Sequence, residues 1–167
     1  GISNPVSVKV GTGFTDDHLQ ELIKLLNPEN EPGRLTLITR FGASNIEEHL
    51  PRVIEAVRAI GSRVLWVCDP MHGNTESTAE GYKTRRFDNI LAELKSAFRI
   101  HQEAGSYLGG VHLELTGENV TECIGGARGL KEADLALAYK SQVDPRLNYE
   151  QAMEIAMLIA GHVRSQG

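Results

Sequence analysis

The chain has 167 residues, 41% apolar and 23% charged, an ordinary composition for one soluble globular domain. Its net charge of −5 gives no reason to expect nucleic acid or anionic lipid as a partner. No apolar run approaches the roughly 20 residues of a membrane span and no signal-peptide pattern opens the chain, so neither insertion nor secretion is expected. Cys68 lies in an apolar run and Cys123 in a Gly-flanked loop. They form neither a CxxC pair nor a disulfide framework, which makes a reducing, cytoplasmic setting the expectation. The first residue is Gly, compatible with a tag remnant, a processed chain or a cleaved one.

In chain order, Val6, Val8 and Val10 alternate with Ser7 and Lys9, the period of a strand with two unlike faces. After a Gly-Thr-Gly break, Leu19, Leu22, Ile23 and Leu26 recur at helical spacing behind a cap at Thr15 or Asp16. Residues 35–40 read as a second strand closed by Phe41 and Gly42. A second helix carries Ile46, Leu50, Val53, Ile54, Val57 and Ile60 on one stripe. Asn45 and Glu48 stand at capping-box spacing before it, while Pro51 allows a start nearer Glu48. Residues 64–68 form a short apolar run that stops at Asp69-Pro70, with His72 and Gly73 on the turn beyond.

Residues 74–81 read as a polar loop with a basic tail, Lys83, Arg85 and Arg86. A third helix follows, with Phe87, Ile90, Leu91, Leu94 and Phe98 as its buried stripe and Gly105 as its stop. A fourth strand is predicted over 111–115, with Val111, Leu113 and Leu115 on one face and His112 and Glu114 on the other. After a Gly-rich loop (116–129), a short helix is expected over 131–139. A last one follows Asn148 and Gln151, again at capping-box spacing.

Four strand–helix units of roughly 40 residues fit half of an eight-stranded (β/α)8 TIM barrel, since a whole one takes about 250. The alternative is a small open sheet with helices on both faces. Alternation favours the barrel: strands buried on both faces read as continuous apolar runs, whereas Ser7, Lys9, Thr36, Arg40, His112 and Glu114 put polar groups on one side. One α/β domain over 1–167 is therefore expected. Its two exposed strand edges would be completed by another chain or by self-association.

The carboxyl ends of the four strands carry Lys9, Arg40, His72 and Glu114, and Asp144 lies on the loop after the fourth unit. That is the edge where such folds bind ligands. Arg grips phosphate or carboxylate by its planar fork and Lys acts as a point charge. A His with two carboxylates suits a divalent ion such as Mn, Co, Fe or Zn. The plainer readings are a solvated Lys or Arg, His112 as a hydrogen-bonded interior residue, Asp144 as a turn cap, Asp69-Pro70 as a strand stop and Cys68 as a small buried hydrophobe.

Six strings sharpen this reading: Asn4-Pro-Val-Ser-Val-Lys9-Val-Gly, Gly33-Arg-Leu-Thr-Leu-Ile-Thr-Arg40, Cys68-Asp-Pro-Met-His72-Gly-Asn-Thr, Tyr82-Lys-Thr-Arg85, the run from Gly110 to Cys123, and Asp144-Pro-Arg-Leu-Asn148. Together they closely resemble class II 3-deoxy-D-arabino-heptulosonate 7-phosphate (DAHP) synthases, over essentially the whole chain and the C-terminal half of that family's barrel. The resemblance implies a metal-dependent condensation of phosphoenolpyruvate with erythrose 4-phosphate, the first step of the shikimate pathway. It implies His72, Glu114 and Asp144 as metal ligands, with Mn or Co ahead of Zn or Fe. Lys9 and Arg40 would hold the carboxylate and phosphate of phosphoenolpyruvate, with Lys9, Arg40 and His72 as the catalytic group. Lys83 and Arg85 fall in the family's basic loop and are assigned to substrate.

The family's fourth metal ligand, a Cys on the first barrel strand, has no equivalent here. Cys68 and Cys123 match other positions. Three hypotheses follow: a synthase half active only with an N-terminal partner, a half-barrel that pairs with itself and binds metal or phosphorylated ligands, or a non-catalytic regulator of an intact synthase.

Overall fold

Val6–Val10 (β1), Leu35–Thr39 (β2), Leu65–Cys68 (β3) and Leu108–Val111 (β6) form one all-parallel sheet in the order β1-β2-β3-β6 in the computed structural model, which describes residues 3–165. The fold class is α/β. Between the strands lie the helices α1 (Asp16–Leu26), α2 (Ile46–Ala59) and α3 (Phe87–Glu103) and a two-stranded antiparallel ribbon of β4 (Thr75–Ser77) and β5 (Lys83–Arg85). A 3-10 segment, Glu132–Leu137, and α4 (Tyr149–Ser165) close the chain. No helix among the described residues is long and apolar enough to cross a membrane. The chain divides into two compact units: residues up to 73 with 92–112, and residues 74–91 with those from 113 onward.

In the first unit the strands pair in sequence order, so each crossover steps the same way. The right-handedness of such crossovers puts their helices on one face. The side chains agree: Gln20 on α1 donates to the Ala56 carbonyl on α2 (3.0 Å), and Ser96 on α3 donates to Glu47 on α2 (2.7 Å). Val10, Leu37, Trp66, Cys68 and Leu108 on the strands and Leu19, Ile23, Leu50, Ile54 and Leu94 on the helices are all buried. Each such aliphatic side chain contributes about 1.5–3 kcal/mol by leaving water. The register sets Lys9 beside Ile38 and Ile38 beside Val67, which defines the other face. That face is more open: Ser7 and Lys9 are exposed and Leu65 is 44% exposed.

Four local readings changed. The fourth strand is not 111–115 but Leu108–Val111, so His112 and Glu114 lie past its end. β6 includes Gly109 and Gly110: Gly110 pairs with Val67, while Gly109 falls at a register shift, where a Cβ would come 2.5 Å from Leu65 Cδ1. His112 is exposed rather than interior, and its backbone N–H donates to the Cys68 carbonyl (2.8 Å). Residues 75–85, expected as loop, contain the ribbon. Asn45 makes no side-chain cap; its amide donates to the Phe41 carbonyl (3.0 Å), and α2 starts at Ile46 with Pro51 inside it. By contrast Thr15 caps α1. Asn148 and Gln151 form the expected reciprocal box, Gln151 N to Asn148 Oδ1 at 2.9 Å and Asn148 N to Gln151 Oε1 at 3.2 Å.

His101 near the end of α3 is buried against Trp66, ring centroids 5.3 Å apart, with Nδ1 3.0 Å from Ser106 Oγ. Its Nε2 is buried with no partner. Burial pushes the imidazole down to about 4 from its ordinary 6.5. The folded state therefore resists protonation. The stability this contributes is complete above pH 6.5 and drains away as pH falls toward about 4, roughly 3 kcal/mol in all. His101→Phe is expected to flatten the pH dependence of the urea midpoint across that window. An unchanged slope would refute the assignment.

Candidate active site

The first unit gathers Lys9, Arg40 and His72 at the carboxyl ends of β1, β2 and β3. Asp69 is the centre of this arrangement. Its Oδ2 lies 2.9 Å from Lys9 Nζ and 2.7 Å from His72 Nδ1, and its Oδ1 accepts the backbone N–H groups of Met71 (3.0 Å) and His72 (3.1 Å). Burial alone would raise this carboxyl. The Lys9 hydrogen bond, the His72 N–H and ring, and the Met71 N–H outweigh it and hold the group below the ordinary carboxylate range. Lys9 Nζ also stands 3.3 Å from His72 Nδ1.

Arg40 follows β2, its backbone N–H donating to the Val10 carbonyl (2.9 Å). Among the described residues no carboxylate pairs with its guanidinium, and its Nε is buried without a partner. Beside it opens a cleft of about 510 Å³, lined by Lys9, Arg40, Phe41, Asn45, Gly73 and the turn from Gly11 to Phe14. The loop after Arg40 is pinned from beneath by Glu93, whose Oε1 accepts the N–H groups of Phe41 (3.0 Å) and Gly42 (2.9 Å).

The second unit holds Lys83, Arg85, Glu114 and Asp144. Lys83 and Arg85 share one face of β5. Lys83 Nζ is 3.2 Å from Asp144 Oδ1, and Arg85, fully buried, donates to Glu114, to the Pro145 carbonyl and to Thr75 Oγ1 (2.9 Å). Arg85 Nη2 is buried without a partner. Both basic-loop cations thus face carboxylates that the resemblance implied as metal ligands. The loop bearing Asp144 is fastened by Glu122, a buried carboxylate that accepts from the backbone N–H groups of Lys140 (3.1 Å), Ser141 (2.9 Å) and Arg146 (2.8 Å) and from the Arg146 guanidinium (2.7 and 3.0 Å).

Both cysteines are free and buried. Burial first, then the nearby charges of Glu93 and Asp69, raises the Cys68 thiol well above its usual range; burial pushes Cys123 up to about 12. Neither is a nucleophile at neutral pH.

Asp69, Glu93 and Glu122 were not singled out from the sequence as functional. Glu93 left a usable signal, because it interrupts the apolar stripe Ile90, Leu94, Ala97 at buried helical spacing. Asp69 reads equally well as a strand stop. Glu122 sits in an irregular loop with no periodicity to mark it.

With this architecture in place, the chain belongs to the class-II DAHP synthetase family, whose model matches residues 1–160. It is 49% identical over 98% of its length to the phospho-2-dehydro-3-deoxyheptonate aldolase AroG of Mycolicibacterium smegmatis. It is 51% identical over 99% of its length to the phospho-2-dehydro-3-deoxyheptonate aldolase of Neurospora crassa, and 47% identical over 99% to that of Streptomyces coelicolor. The chain spans only 35%, 35% and 37% of those relatives.

Proposed function

We propose that this chain supplies the C-terminal half of a class II DAHP synthase barrel, joining phosphoenolpyruvate to erythrose 4-phosphate once the remainder of the barrel is present. C3 of phosphoenolpyruvate bonds to the aldehyde carbon, water adds at C2, and phosphate leaves. The observation that carries this reading is the cleft holding Lys9 and an Arg40 guanidinium that no carboxylate among the described residues neutralises, in a chain whose family model runs through residues 1–160. Arg40 would take the phosphate or carboxylate through its fork and Lys9 the other anionic group, fixing the enol for attack. Lys83 and Arg85 are assigned to the same substrates by the family's basic loop.

His72, Glu114 and Asp144 would hold a divalent ion, Mn or Co ahead of Zn or Fe; an imidazole with two carboxylates fits such an ion. When bound, the ion supplies Lewis-acid polarisation of the aldehyde oxygen. The fourth ligand and the rest of the anion contacts would come from the part of the relatives that this chain does not span. A single domain over 1–167 and a cytoplasmic setting belong to the same reading.

A second reading, a half-barrel paired with its own copy, is favoured by β1 and β6 having one neighbour each in the sheet and by the exposure of Leu65 on its open face. Phosphate release from the two substrates with Mn or Co decides between them. The chain is assayed alone and with a supplied N-terminal portion of a relative. Activity on mixing that vanishes with chelator and with His72→Ala supports the synthase. Silence on mixing, with a stable homodimer by light scattering, overturns it in favour of self-pairing.

A further inference from the structure

His72 Nδ1 has two close polar neighbours in the first unit, Asp69 Oδ2 at 2.7 Å and Lys9 Nζ at 3.3 Å. An ammonium can only donate and an ionised carboxylate can only accept. The shorter contact therefore calls for a proton on Nδ1, donated to Asp69. The longer one is then a contact between two donors that share one acceptor, since Lys9 Nζ also reaches Asp69 Oδ2 at 2.9 Å. Asp69 cannot swing away to release the ring. It is wholly buried, and its other oxygen is held by the backbone N–H groups of Met71 and His72.

We propose that Asp69 is the positioning residue of the His72 imidazole: it accepts the Nδ1–H, and so leaves Nε2 as the nitrogen that ligates a divalent ion. This rests on the metal-binding reading above. The same carboxylate steadies Lys9, so one buried group orients both a metal ligand and an anion-binding cation. Outer-shell partners of this kind fix ring tautomer and direction, and their loss costs roughly 10–100-fold in metal affinity.

The test uses the full chain labelled with nitrogen-15, and Mn2+ alone as the probe. In the unsubstituted, metal-free chain, imidazole nitrogen shifts are expected to report a proton on Nδ1 of His72, the nitrogen 2.7 Å from Asp69 Oδ2. The opposite tautomer overturns the proposal without reference to any variant or metal. Asp69→Asn, checked for folding by circular dichroism, is then expected to mix the two tautomers and to weaken Mn2+ binding by roughly 10–100-fold. Loss of tautomer preference is a readout that a purely structural role would not move. Binding unchanged in Asp69→Asn but abolished in His72→Ala overturns the role of Asp69 and leaves the metal reading standing. Binding equal in the unsubstituted chain and His72→Ala overturns the metal reading, and ligation by His72 with it.

Discussion

Glu122→Ala is expected to lower folding stability by roughly 3–5 kcal/mol, the range seen when one member of a buried, hydrogen-bonded charge network is removed. The side chain of Glu122 is fully buried, and its two oxygens receive five hydrogen bonds, three from backbone N–H groups at 140, 141 and 146 and two from the Arg146 guanidinium. Truncation leaves all five donors without their acceptor. Its backbone matters too, since Thr84 Oγ1 donates to the Glu122 carbonyl (2.9 Å) and so ties β5 to the same loop. Glu122→Gln keeps an acceptor oxygen and should cost less.

The pH dependence has a fixed sign. Burial raises the Glu122 carboxyl, but the hydrogen bonds from Arg146 and the backbone outweigh it, and the group is held below its ordinary 4.5. Its contribution is therefore complete above pH 4.5 and is lost as pH falls through the lower folded value. Urea midpoints should show that loss in the unsubstituted chain and not in Glu122→Gln. Equal acid sensitivity of the two would refute the network. Because this loop carries Asp144, the proposed metal-binding reading expects the same variants to weaken Mn2+ binding as well.

Elements whose residues signal their state by period were legible in the sequence. Val6, Val8 and Val10 alternate, α1 and α3 carry full apolar stripes, and Asn148 with Gln151 announces α4; the structure has all of them. What failed failed for tertiary reasons. Gly109 and Gly110 have the weakest strand propensity of any residues in β6, yet Gly110 pairs with Val67 and Gly109 sits at the register shift beside it. Starting the strand three residues late and ending it four late placed His112 and Glu114 on it, although β6 ends at Val111. The ribbon at 75–77 and 83–85 is too short and polar to show a period, and Asn45 gave up its capping role to bond the Phe41 carbonyl.

Within the candidate site, Lys9, Arg40 and His72 stand out in the sequence as residues of distinctive chemistry at or just past the ends of β1, β2 and β3. Asp69 could not be separated from a strand stop, because only the folded chain brings the Lys9 ammonium, sixty positions away in sequence, to its oxygen. The supporting carboxylates act at long range and leave little trace in a local window.

Gly73→Ala tests how tightly the turn beside His72 is built, and it is expected to cost roughly 3 kcal/mol or more. A Cβ at this position would stand 2.4 Å from Gly42 N, 2.9 Å from Gly42 Cα and 2.9 Å from the Phe41 carbonyl carbon. All three are backbone atoms, so no side chain can rotate out of the way. The facing loop cannot retreat cheaply, because Glu93 Oε1 holds the N–H groups of both Phe41 and Gly42. On the other side, the His72 N–H is held by Asp69. Relief therefore means breaking buried hydrogen bonds on one wall or the other, each costing about 1–3 kcal/mol. Either route moves a wall of the cleft that contains Lys9 and Arg40. The control is Gly117→Ala, where an added Cβ meets nothing within 4 Å; it should stay within about 0.5 kcal/mol of the unsubstituted chain. Chemical denaturation of the two variants checks the contrast: a large drop at Gly73 and none at Gly117 is the expected result. A Gly73→Ala chain of full stability would mean that the approach of this turn to the Phe41–Gly42 backbone is looser than the structure has it. The pinning of that loop by Glu93 would then have no bearing on His72.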